Sequence, residues 1–140
     1  MQNQPTVQPP APLAKSSTGL DENVAALLSY VLTWVSGLVF FLIEKDSRLV
    51  RFHAMQSILL TVLAGIIFVV LWVVWIVLAV ISTQLPGIIG TLVSLVITLI
   101  FLAFWLGVLI AWVMCLIKAY QSQYFKLPVI GNLAEKFSAK

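Results

Sequence analysis

In an otherwise apolar chain, the groups able to do proton or ion chemistry collect in residues 43–57, IEKDSRLVRFHAMQS. Glu44 closes one apolar run, and Arg51, His53 and Gln56 open the next. At the edge of a membrane the dielectric is intermediate. An ion pair or hydrogen bonds from Glu44 to Arg51 or His53 would there clamp the two runs together. Together with Lys45, Phe52 and Ser57 these residues form a candidate structural and recognition hairpin for a cytoplasmic protein or anionic lipid. A plainer reading stands beside it, in which charges at the ends of spans are headgroup anchors. His53 has no second His or Cys at ligand spacing, so no metal site is expected. Cys115 is the only cysteine. It can form no intrachain disulfide, and either packing or acylation is open to it.

The remaining chemistry is set by what the apolar runs do not contain. No nucleophile elbow, zinc-protease helix signature, phosphate-binding loop or paired-cysteine motif occurs. Between residues 54 and 117 there is no Asp, Glu, Lys or Arg. Proton-coupled transporters and intramembrane hydrolases place ionisable groups at depth despite the cost. The sequence therefore predicts a non-enzymatic protein without a cofactor. Lys and Arg flank the apolar runs rather than forming a stripe, so nucleic acid is not an expected partner.

The elements that must hold the charged stretch follow from composition. With 61% hydrophobic and 9% charged residues in 140, the chain cannot build a water-facing surface, and lipid is its expected solvent. The sequence predicts an all-α integral membrane protein with three transmembrane helices, at about residues 24–43, 57–81 and 90–117. Each is long enough for a hydrocarbon core of roughly 30 Å. Residues 1–20, rich in Pro, Gln, Ser and Thr, read as a disordered tail with no secretory signal. Asp21, Glu22 and Asn23 suit the start of the first helix, and Asp46 or Ser47 can cap the second, which begins near Arg48. Pro86 and Gly87 suit a type II turn between the last two spans.

Small residues mark expected seams. Ala26, Ser29, Thr33 and Ser36 share one face of the first helix. Ser57, Thr61 and Gly65 share one on the second, and Ala103, Gly107, Ala111 and Cys115 recur every four residues on the third. The last ridge would pack within the monomer or between copies in a homo-oligomer. Lys118, Tyr120, Tyr124 and Lys126 form an interfacial belt. Residues 129–137 read as a short amphipathic helix on the membrane surface, with Ile130, Leu133, Ala134 and Phe137 on one face. Three crossings would place Lys15 on one side and the other basic residues opposite. The positive-inside rule then puts the N-terminus outside and the hairpin and C-terminus in the cytoplasm, as expected for a multi-pass protein of a bacterial inner membrane.

Glu44-Lys45, the run VRFHAMQS from Val50 to Ser57, Asn23 with Ala25, and the ending LPVIGN from Leu127 to Asn132 carry a family resemblance. The chain resembles small bacterial membrane proteins of uncharacterised function grouped with the twenty-kilodalton component of the chloroplast inner-envelope import translocon. The resemblance implies a helical integral membrane protein, with Glu44, Lys45, Arg51, Phe52, His53, Ala54, Gln56, Ser57, Pro128 and Gly131 as its shared positions and no catalytic role. It also implies an association with protein translocation in the plastid members. The reading of the whole sequence is a scaffold or accessory subunit, or alternatively an oligomeric pore or small transport or translocation component.

Overall fold

The computed structural model describes residues 13–139, which form five helices and no strand beyond one isolated bridge between Lys15 and Asp21. The helices are α1 (Glu22–Val31), α2 (Trp34–Ile43), α3 (Arg48–Ser82), α4 (Gly87–Tyr120) and α5 (Ile130–Ser138). The last three follow the sequence reading closely. Ser47 caps α3, its hydroxyl accepting from the Val50 N–H at 3.3 Å. Pro86 and Gly87 do not make a type II turn: Gly87 is the first residue of α4 and lacks the positive φ that such a turn needs.

The first predicted span departs from expectation. Residues 24–43 do not form one crossing but two ten-residue helices broken at Leu32 and Thr33, where Thr33 has φ 53° and ψ −125°. A β-branched residue at positive φ is strained, and local hydrogen bonds hold it there. The Ser36 hydroxyl accepts from Leu32 N–H and donates to the Ser29 carbonyl, both at 3.0 Å. The Thr33 carbonyl accepts from the Ser57 hydroxyl at 2.8 Å, and the Tyr30 carbonyl accepts from the Trp112 indole at 3.0 Å. The hydroxyl face read as a packing seam is thus also what satisfies the break.

The chain reverses at this break. Glu22 lies beside Ser47 at the foot of α3, Tyr30 beside His53, and Thr33 beside Ser57, so α1 runs alongside α3 in the same direction. From there α2 descends. Gly37 meets Ala54, Ser57 and Ile58, and Glu44 returns to the level of Ser17. The result is a helical hairpin whose two ends share one end of the molecule. Residues 13–20 dock there through Ser17, so this part of the predicted disordered tail is an ordered turn; residues 1–12 lie outside those described. The N-terminal segment and residues 44–47 therefore lie together, not at opposite ends as three crossings would require.

Helices α3 and α4, of 35 and 34 residues, are each about 50 Å long at about 1.5 Å per residue. Their length exceeds the hydrocarbon thickness of roughly 30 Å, so each is long and apolar enough to cross a membrane. They run antiparallel, and beyond the hairpin apex they turn Val62, Ile66, Val69, Val70, Leu102 and Leu106 outwards. Cys115 is buried at the foot of the predicted small ridge, whereas Ala103 and Gly107 are exposed and Gly107 has open space where a Cβ would stand. The ridge is a seam inside this chain only at its lower end. Trp34, Trp72 and Trp105 are each about half exposed and do not cluster together.

Gly37 fixes how closely the hairpin approaches α3. A Cβ there would stand 2.9 Å from the Ala54 carbonyl oxygen and 3.2 Å from Ser57 and Ile58 side-chain atoms. Gly37→Ala is expected to lose about 1–3 kcal/mol by overpacking. Gly65→Ala, at a position with open space, is expected to gain up to about 1 kcal/mol from helix propensity. Thermal unfolding in detergent measures both, and equal responses of the two variants would contradict the packing described.

Candidate functional site

The polar groups of the molecule meet at the end where the hairpin opens, and Glu44 is at their centre. Its side chain is fully buried. The carboxylate accepts from Ser47 N–H at 2.8 Å, Asp46 N–H at 3.0 Å, Ser17 N–H at 3.0 Å and the Ser17 hydroxyl at 2.9 Å. The partners expected from sequence, Arg51 and His53, are not the ones bonded to this carboxylate. Arg51 instead donates to the Glu44 carbonyl at 2.9 Å and the Ser138 carbonyl at 3.4 Å, with its guanidinium 4.9 Å above the Phe41 ring. It thereby ties the end of α2 to α3 and α5. Lys45 is exposed.

One turn deeper, His53 is bonded at both ring nitrogens. Its Nε2 lies 3.0 Å from the Gln123 carbonyl, which can only accept, so Nε2 carries the proton. Nδ1 then accepts from the Tyr30 hydroxyl at 3.1 Å. Gln56 donates to the Phe125 carbonyl at 3.0 Å and lies 3.4 Å from both the Tyr30 oxygen and the Cys115 sulfur. Its Oε1 is the one buried side-chain oxygen without a hydrogen-bond partner among the described residues. Phe52, buried beside this group, packs edge-on to His53 at 5.2 Å and against Tyr124 at 5.4 Å. Ser57 is committed to the Thr33 carbonyl.

Five of the seven residues singled out from sequence thus gather around one junction; Lys45 stands apart on the surface and Ser57 at the hairpin apex. Sequence reasoning missed Tyr30, Ser17 and the backbone carbonyls of Gln123 and Phe125. Tyr30 carried a signal, since a phenol inside an apolar run needs a hydrogen-bond partner. Nothing in the sequence marked Gln123 or Phe125. Their carbonyls are available because Ser122, at φ 55°, turns the chain after α4 back over the start of α3.

Beside the junction lies a cavity of about 440 Å³, lined by Arg48, Phe52, Tyr124, Glu135, Ser138 and Ala139. Glu135 is paired with Lys126 at 2.7 Å. Burial pushes the Tyr124 phenol above its ordinary pKa, Glu22 adds to the rise and Arg48 offsets it. On α5, Ile130, Gly131, Ala134 and Ser138 face the protein, while Leu133 and Phe137 point outwards. The predicted amphipathic face is therefore split between α3 and the surroundings.

Burial alone would raise the pKa of Glu44, but the hydrogen bonds from Ser47, Ser17 and Asp46 outweigh it and hold the carboxyl below its ordinary 4.5. A depressed folded-state pKa contributes stability that is complete above the unfolded value and is lost as pH falls through the folded one. Melting temperature is thus expected to fall below about pH 4.5 in the wild type. Glu44→Gln should be less stable at neutral pH and show a smaller acid-dependent loss; an unchanged acid slope would contradict the assignment. His53 is the sole histidine, so its tautomer is open to direct measurement. Nitrogen-15 NMR is expected to find the Nε2–H form, and Tyr30→Phe, which leaves Nδ1 without a donor, to lose about 1–3 kcal/mol.

Comparison with known proteins corrects the resemblance drawn from the charged stretch. A family model described as the magnetosome magnetite crystal formation protein family matches residues 20–134. The UPF0132 membrane protein MJ1443 of Methanocaldococcus jannaschii is 39% identical over 126 residues, covering 90% of this chain and 96% of that protein. The UPF0132 membrane protein MJ1527 of the same organism is 35% identical, covering 85% of this chain and 71% of its own length. A UPF0132 membrane protein of Archaeoglobus fulgidus is 39% identical, covering 84% and 95%. No solved structure matches the chain. These findings overturn the link to the chloroplast import translocon, and archaeal relatives give no support to a bacterial grouping. The VRFHAMQS run that carried the resemblance is short, and apolar spans resemble one another in any membrane protein. This chain is a membrane protein that belongs to the magnetosome magnetite crystal formation protein family, alongside archaeal UPF0132 relatives.

Proposed function

We propose that this protein is a non-enzymatic membrane scaffold or accessory subunit. It crosses the bilayer twice, through α3 and α4, and dips a third element, the α1–α2 hairpin, into one leaflet. The observation that carries this reading is the partition of charge. Lys15, Asp21, Glu22, Glu44, Lys45, Asp46, Arg48, Arg51, Lys118, Lys126, Glu135 and Lys136 share one end, and residues 82–87 at the other carry none. Seven Lys and Arg residues among those described lie at that end and none in residues 82–87, so the positive-inside rule assigns it to the cytoplasmic surface of the cell membrane, with both the N-terminal segment and α5.

The scaffold role rests on how the polar groups are used. Both nitrogens of His53 are bonded, the Glu44 carboxylate is filled by donors, and Asp21 is paired with Lys15 at 2.6 Å. Side chains that could act on a substrate are thus spent on geometry. The description of the family supports a part in assembling mineral at a membrane, whereas the archaeal relatives are named only as membrane proteins. What suits both is a small membrane body offering a rigid charged face to a partner.

Single cysteines at Thr18, Lys45, Lys126 and Thr83, in a Cys115→Ala background, test the arrangement with a membrane-impermeant maleimide. Thr18, Lys45 and Lys126 are expected to label from the cytoplasmic side and Thr83 from the opposite one. Labelling of Thr18 together with Thr83 would mean that the first apolar run crosses the bilayer, and the proposal would fail.

A further inference from the structure

We propose that the cavity between the start of α3, the α4–α5 linker and the end of α5 binds the phosphodiester headgroup of an anionic membrane lipid, with Arg48 and Tyr124 as its donors. It rests on the reading of the charged end as a membrane-surface face. The volume, about 440 Å³, falls in the range of small-molecule sites. Among the described residues neither the Arg48 guanidinium nor the Tyr124 hydroxyl has a hydrogen-bond partner, although both line the same cavity. Glu135, the acidic group in the lining, is paired with Lys126 at 2.7 Å, while Glu22, outside the lining, accepts from the Ser47 hydroxyl at 3.1 Å and keeps its charge. No carboxylate among the described residues is bonded to Arg48, and its planar guanidinium suits phosphate oxygens better than a point charge does. Because Arg48 is also the first residue of the 35-residue α3, the helix dipole adds to the attraction.

A lipid fits better than a soluble phosphate. Two aromatic rings, Phe52 and Tyr124, 5.4 Å apart, form part of the cavity wall. It lies at the end where Lys118, Tyr120 and Lys126 form the interfacial belt, and where α5 turns Leu133 and Phe137 outwards. A soluble anion would leave these apolar groups uncovered, whereas a lipid brings its glycerol backbone and chains to them.

The test uses the full-length protein in neutral detergent micelles, with phosphatidylglycerol, phosphatidylcholine or inorganic phosphate added and melting temperature recorded. Phosphatidylglycerol is expected to raise the melting temperature, and phosphatidylcholine and inorganic phosphate to do so much less. Arg48→Gln should keep the lipid-free melting temperature and weaken apparent phosphatidylglycerol affinity roughly tenfold. Lys136→Gln, which removes an exposed charge from the same end outside the cavity lining, should leave that affinity unchanged. Equal weakening in both variants would make the effect diffuse charge and overturn the site, as would full retention in Arg48→Gln. A matching shift from inorganic phosphate would overturn the lipid assignment. If Arg48→Gln proves unstable, Tyr124→Phe gives the same comparison with a smaller loss expected. Maleimide labelling reports sidedness and this titration reports a site in micelles, so either reading can fail while the other stands.

Discussion

A helix that stops inside an apolar environment leaves backbone N–H and C=O groups without water, at a cost of several kcal/mol for each group left unpaired. The hairpin exists because the break at Leu32 and Thr33 meets that constraint. Ser36 serves a donor and an acceptor at once, Ser57 reaches across from α3, and Trp112 reaches across from α4. Two of these three partners come from other helices. The break is therefore stable only when α1 and α2 are docked, which couples the local conformation of Thr33 to the tertiary fold.

The same coupling explains why polar residues concentrate at the other end of the hairpin. Two helices that enter and leave together must have their mouth closed, and Glu44 closes it by drawing Ser17, Asp46 and Ser47 onto one carboxylate. Asn23 ties the foot of α1 to the Tyr120 carbonyl at the end of α4. His53 and Gln56 do the same for the returning chain after α4. Buried networks of this kind, here satisfied at every described side-chain atom but Gln56 Oε1, specify one arrangement more than they add stability. The upper halves of α3 and α4 have no such ties. They rely on aromatic contacts such as Phe68 with Trp105 at 5.8 Å, and beyond the hairpin they face outwards over most of their surface.

Most of the architecture was legible because it depends on composition and periodicity. The two long apolar helices, the Ser47 cap, the short uncharged link and the amphipathic α5 all follow from local pattern. The hairpin was not legible for a physical reason: residues 24–43 have the length and hydrophobicity of a crossing, and hydropathy is blind to direction reversal. Thr33 and Ser36, three residues apart, have the spacing of an N-terminal cap, which is the one local hint of a helix restart. The expected side of the N-terminal segment rested on that span as a crossing, whereas Ser17 and Glu44 lie together. At the site, residue types identified the participants, but which atoms would bond could not be read. Arg51 uses the Glu44 carbonyl rather than its carboxylate because Ser17, remote in sequence, already occupies the acid.

The charged stretch also shows how a short motif misleads about kinship. Arg51 bridges three helices, Phe52 fills space between His53 and Tyr124, His53 and Gln56 hold the chain after α4, and Ser57 secures the break. Each of these residues answers a requirement of closing the hairpin against α3 and the chain after α4. Any membrane protein that returns a broken helix against a long one faces the same requirement, and few side chains meet it: a long cation to reach carbonyls, an imidazole and an amide to bond in two directions, a hydroxyl at the apex. Such a run can therefore answer a packing problem without marking descent. Kinship is carried instead by similarity over nearly the whole chain, as with the archaeal relatives.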